Sequence, residues 1–202
     1  FTVGLDFSIN LTPDFHPAMW IFFDSAARLL PPLIAIALLF KRPTHAMRVF
    51  GMFRPIAIRG VLGMFSLLTL TDQVLRWAIK SLDKNEPGGG LNPGEMGSWG
   101  LVFMIISACV LAPITEEITY RGILFRSINN KLGAFLAALI SSLIFALLHF
   151  YDGYGFATVA VFGFSCAALY SATGSLATVI LLHVIYNMAI KFPNWIIYHA
   201  PL

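Results

Sequence analysis

Runs of uncharged, apolar residues recur along this chain at close to the length a helix needs to cross a bilayer. About six fall approximately at Trp20–Phe40, Ile56–Ile79, Ser98–Ala112 continuing into Ile114–Ile128, Leu132–Phe150, Gly155–Ser171 and Leu176–Ile190. In hydrocarbon the backbone must satisfy its own hydrogen bonds, and roughly twenty apolar residues do so as a spanning helix. Pro31-Pro32 is expected to bend the first run. Pro113 is expected to break or kink the third, which is too long for one straight crossing and reads as two helices, one of them re-entrant. Composition agrees with this reading. Of the 202 residues, 58% are hydrophobic and 11% charged, against about 25% charged in a soluble domain. The expected fold is therefore all-α, a polytopic membrane helical bundle with about six to eight transmembrane helices in a single domain over residues 1–202. The first twenty residues hold two prolines and no basic cluster, so they read as a polar lead-in rather than a signal peptide.

The charges are sorted by position. Lys41, Arg42, Arg48, Arg54 and Arg59 lie between the first two runs with no acidic residue among them, which marks that loop as cytoplasmic. The next connection, SLDKNEPGGGLNPGEMGSW, is mixed in charge and rich in Gly and Pro, and reads as a flexible non-cytoplasmic loop. Arg126 and Lys131 then place the following turn on the cytoplasmic side. Asp24/Arg28 and Asp72/Arg76 are i,i+4 pairs expected to be interfacial ion pairs near the outer ends of their spans. Because the cations flank apolar runs instead of forming a stripe, the net charge of +3 gives no nucleic-acid partner; the partner is membrane lipid. Cys109 and Cys166 sit inside apolar runs without ligand spacing and read as core thiols, and a Phe192–Tyr198 tail with Trp195 and Tyr198 reads as interfacial.

Against this apolar background, Glu116 and Glu117 stand out between LVFMIISACVLAP and ITYRGILF. A carboxylate at bilayer depth costs about 2.5–3.5 kcal/mol on insertion scales, so each needs compensation. Glu117 and Arg121 are i,i+4, which gives Glu117 a guanidinium and reads as a structural ion pair. Helix neighbours point about 100° apart, so Glu116 is expected to need a different partner from another helix. His149 is the expected one. If an antiparallel hairpin turns near Leu132/Gly133, Glu116 and His149 lie equally far from the turn, and Phe145 packs beside the imidazole. His183 and Asn187, at i,i+4 on an apolar helix, form a second polar pair that can donate to an oxyanion, and the His can equally ligate a metal. Taken singly, each His and Asn reads as a helix–helix hydrogen-bond partner. His16, His45 and His199 carry no assigned role.

Taken together, TEEITYRG, FALLH and HVIYN resemble the three motifs E-E-x-x-x-R, F-x-x-x-H and H-x-x-x-N of the CAAX prenyl endopeptidase and bacteriocin-processing (CPBP, or Abi) family of intramembrane proteases, in the family's order. The resemblance covers a core of about residues 110–190; Tyr120 stands where the family commonly has Phe. It implies an intramembrane endopeptidase that hydrolyses a peptide bond of a membrane-associated, prenylated or otherwise hydrophobic peptide, in a prokaryotic plasma membrane. Glu116 and His149 would activate water, His183 and Asn187 would stabilise the oxyanion, and Glu117, Arg121 and Phe145 would support them. Family members have been interpreted both as metallopeptidases and as glutamate peptidases. The metal reading would place Zn²⁺ on Glu116, His149 and His183 and is the one expected here, because a cation compensates a buried Glu/His cluster best. The resemblance also implies cytosolic substrates, whereas the hairpin spacing sets Glu116 and His149 towards the outer leaflet. Two other classes fit the same residues: an ion or proton carrier, and a non-catalytic bacteriocin-immunity or peptide-binding protein.

Overall fold

The computed structural model describes residues 23, 26–80, 102, 105–149, 151 and 153–199. Among these, every regular element is helical. Helix α1 is Leu30–Leu39, α2 is Pro43–Val49 and α3 is Ile58–Lys80. A continuous run over 105–132, α4, joins a π-helical stretch Ile105–Leu111, an α segment Ala112–Glu117, a second π stretch Ile118–Phe125 and a closing α segment Arg126–Leu132. Helices α5 (Ala134–Leu147), α6 (Gly153–Thr173) and α7 (Leu176–His199) follow. The 81–99 loop, Asp24, the polar lead-in and the side chains of Trp195 and Tyr198 lie outside the described residues.

Among the described residues, large apolar side chains cover the outside, and polar side chains are buried within a largely hydrophobic core. Leu38 is 81% exposed and Trp77 80%, while Glu117, Arg121, His183 and seven Ser or Thr side chains are buried. Water would not tolerate so much apolar surface, whereas lipid matches it. Among the described residues, two stretches, Ile58–Ala78 and Gly153–Thr173, each of 21 residues, are long and apolar enough to cross a membrane; Leu30–Leu39, Ala134–Leu147 and Leu176–Ile190 are shorter apolar helices. About six spans were expected from the sequence, so length and apolarity alone single out fewer. The third expected span also differs. Pro113 does not end α4; it falls where the register changes from π to α, and the helix continues through it.

Close approach of α5 and α6 depends on small residues. A Cβ at Gly163 would lie 3.2 Å from both Phe145 Cδ1 and Ser142 Cβ, and Ala137, Ala138, Ser141 and Ser142 bury the facing side of α5. The expected hairpin turn is at Gly133, whose φ of 82° separates α4 from α5. A second joint ties the basic loop to the turn between α6 and α7. Arg54 donates to the Thr173 carbonyl (3.3 Å), Ala57 N–H to Thr178 Oγ1 (3.0 Å) and Tyr170 O–H to the Phe50 carbonyl (3.1 Å). Gly51 and Gly174, both at positive φ, meet there so closely that a Cβ on Gly51 would collide with the Gly174 carbonyl.

Candidate active site

Two helices bring the polar residues to the interior. The short α segment of α4 presents Glu116 and Glu117, its second π stretch presents Arg121, and α7 presents His183 and Asn187 across from them. The π turns on either side of the carboxylates shift the phase of the helix face, and such turns recur at functional sites.

At the centre, Glu117 Oε1 accepts from Arg121 Nη1 at 3.0 Å and lies 2.7 Å from His183 Nδ1. Arg121 Nη2 donates to the Gly163 carbonyl at 2.8 Å, and the guanidinium carbon sits 5.0 Å from the Phe145 ring centroid. Glu117, Arg121 and His183 are 0%, 1% and 3% exposed, so the ion pair and its imidazole form one dry unit. On the other side of the same ring, Glu116 Oε2 lies 3.7 Å from His183 Nε2, and its side chain keeps 18% exposure. The two carboxylates were expected to need different partners. They instead face one imidazole from its two nitrogens, which lie on opposite edges of the ring.

This geometry corrects the pairing of Glu116 with His149. His149 lies just beyond the end of α5; its Nδ1 is 2.7 Å from the Phe145 carbonyl and its ring centroid 4.4 Å from that of Phe145. No hydrogen bond or ion pair joins it to Glu116 among the described residues. The equal-distance argument assumed two straight α-helices, and the π turns of α4 together with the end of α5 at Leu147 break that assumption. Asn187, four residues from His183, donates from Nδ2 to the Ala108 carbonyl at 2.8 Å, and among the described residues its second N–H and its Oδ1 have no further partner.

Several contributors carried no sequence signal as site residues. Phe162 packs edge-on against His183 (4.6 Å between centroids) and stacks on Tyr186 (4.7 Å), walling the imidazole from lipid. Gly163 supplies only a backbone carbonyl. Among the described residues, the buried Ser107 Oγ, Glu117 Oε2 and Arg121 Nε have no hydrogen-bond partner. Tyr151 lies 5.8 Å from His149 between ring centroids and leaves half its surface exposed. Partial burial and then the charge on Glu116 raise its phenol above the ordinary value.

As a metal site the arrangement does not fit. Among the described residues no three His, Cys, Asp or Glu side chains are grouped as ligands, so Glu116, His149 and His183 do not stand together as the expected set. What the residues can do directly is hold an imidazole in one orientation between a dry carboxylate and a partly open one.

Residues 98–189 match the family described as Type II CAAX prenyl endopeptidase Rce1-like. The chain is 37% identical over 84 residues to "Putative membrane peptidase YdiL" of Bacillus subtilis, a match covering 42% of this chain and 34% of that protein. It is 34% identical over 91 residues to an uncharacterized protein of Mycoplasma capricolum, covering 44% of this chain and 26% of the relative. The chain thus spans about a third or less of either relative's own length. No solved structure matches it.

Proposed function

We propose, from the match of residues 98–189 to the type II CAAX prenyl endopeptidase Rce1-like family, that the protein is an intramembrane endopeptidase. Its substrate is a membrane-anchored hydrophobic or lipidated peptide, and its place a prokaryotic plasma membrane. The observation that carries this reading is His183 held between Glu117 (2.7 Å) and Glu116 (3.7 Å) inside an otherwise apolar bundle.

Glu116, the more open carboxylate, takes a proton from water as the hydroxyl adds to the scissile carbonyl carbon. His149, with Nδ1–H donating to the Phe145 carbonyl, presents Nε2 at the mouth as an acceptor for the same water. The carbonyl oxygen, now negative, is met by His183 Nε2–H when that ring carries both protons and by the second N–H of Asn187. Collapse of the tetrahedral intermediate breaks the C–N bond, and Glu116 returns its proton to the leaving amine. Glu117 and Arg121 touch no reacting atom; they position His183.

A zinc-dependent route through Glu116, His149 and His183 has one observation in its favour. Both histidines engage an oxygen at Nδ1 and leave Nε2, as metal-bound imidazoles do. It requires the three donors to converge, and stoichiometric zinc whose removal by chelation stops cleavage would establish it. The direct test of the peptidase reading uses the purified full chain in lipid vesicles with a lipid-anchored reporter peptide. Glu116→Gln should lower hydrolysis by about 10²–10⁴-fold with helicity unchanged; undiminished hydrolysis would contradict it.

A further inference from the structure

We infer that the basic loop over residues 41–59 is a docking surface for the headgroups of anionic phospholipids. The inference concerns a part of the molecule outside the candidate site and does not rest on the peptidase reading.

Charge is the first observation. Lys41, Arg42, Arg48, Arg54 and Arg59 are all exposed, and the described chain from 26 to 71 contains no acid to offset them. Among the described residues no carboxylate pairs with Lys41, Arg42, Arg48 or Arg59. Arg54 is engaged by a neutral group, the Thr173 carbonyl at 3.3 Å, and keeps its charge uncompensated.

The second observation is that the loop is held in one shape. Phe40 and Phe50 meet edge to face at 5.4 Å between centroids, which closes the chain between them into a compact turn around α2. Ala46 and Phe50 are buried while Thr44, His45 and Arg48 are exposed, so α2 turns its apolar side to the bundle and its basic side outward. Beneath it the Phe50 ring packs on Gly122 of α4, where a Cβ would lie 3.2 Å from Phe50 Cδ2, and Tyr170 O–H holds the Phe50 carbonyl. The Gly51–Gly174 contact fixes the next turn. Cations on a backbone pinned at this many points need little ordering to receive an anion.

The third observation selects the partner. Exposed apolar side chains are interleaved with the cations: Leu39 precedes Lys41 by two residues, Phe53 is 72% exposed beside Arg54, and Ile58 adjoins Arg59. A free phosphate would satisfy the charges and leave these side chains in water. A phospholipid satisfies both. Its phosphate matches the forked donors of arginine, and its acyl region receives the apolar side chains while the long cationic stems reach the headgroup level. An excess of cations with no acid favours an anionic headgroup over a zwitterionic one, as juxtamembrane basic clusters do generally.

Thermal unfolding of the purified full chain in a mild detergent, with phosphatidylglycerol or phosphatidylcholine titrated into the micelles, tests this. A ligand that binds only the folded state raises the unfolding midpoint. Phosphatidylglycerol should raise it at lower lipid content than phosphatidylcholine does, and high salt should shrink the difference. Arg42→Gln/Arg48→Gln should weaken the phosphatidylglycerol response by about 25-fold, roughly fivefold per cation. Arg42→Lys/Arg48→Lys should keep most of it. Arg76→Gln, about 25 Å further along α3 than Arg59, should leave it intact. Lys41→Gln/Arg59→Gln reads the same loss if the first neutralised variant does not fold. Equal responses to the two lipids, an undiminished response in the neutralised variants, or the same rise with inorganic phosphate alone would overturn the docking surface. Hydrolysis enters none of these readings, so failure of the peptidase reading leaves them unchanged.

Discussion

Two i,i+4 acid–arginine pairs in this molecule, Asp72/Arg76 and Glu117/Arg121, share a spacing and differ in almost everything that follows from it. Each acid accepts at one oxygen from its arginine, at 3.4 Å and 3.0 Å respectively, and each meets a third group from another helix, Tyr154 at 2.6 Å and His183 at 2.7 Å. The side chains of the first pair are 52% and 23% exposed, those of the second 1% and 0%. The outer pair is a screened tie between α3 and α6 that either partner can leave for water. In the inner pair neither charge has that recourse, so each is held by the other and by fixed protein dipoles. Burial turns the same motif from a surface contact into a device that sets the orientation of an imidazole.

The comparison breaks if both pairs cost the same to disrupt. Arg121→Ala should cost the most, about 3–5 kcal/mol, because it strands a buried carboxylate; unfolding in detergent micelles measures it. Gly163→Ala comes next. The new Cβ meets Phe145 and Ser142 at 3.2 Å, and Phe145 is pinned beneath the Arg121 guanidinium, so about 1–3 kcal/mol of overpacking is expected in the same assay. Asp72→Asn should cost less than about 1 kcal/mol, since an exposed ion pair contributes little. A larger loss for Asp72→Asn than for Arg121→Ala would reverse the account.

Much of this was legible in the residues. Apolar run lengths, the hairpin glycine at 133 and the Glu117–Arg121 spacing follow from helix periodicity, which fixes which residues share a face along one helix. Periodicity does not fix how one helix registers against another. That is why His149 was expected opposite Glu116 and His183 is found there, and why the Gly163 carbonyl and the Phe162 wall were not anticipated. The π turns were equally hidden, because Ile105–Leu111 and Ile118–Phe125 have no composition that separates them from ordinary α-helix. The glycine at 163 did offer a faint signal, a small residue in a spanning run where two backbones come close.

The central claim is that Glu117 holds His183 by Nδ1 and thereby turns Nε2 towards Glu116. Nitrogen NMR of the protein labelled at histidine, assigned through His183→Gln, reads this bond directly. A proton on Nδ1 in a strong hydrogen bond, shifted by Glu117→Gln and untouched by Asp72→Asn, is the predicted result. A His183 ring whose Nδ1 carries no hydrogen-bonded proton, or whose nitrogens do not respond to Glu117→Gln, would contradict it.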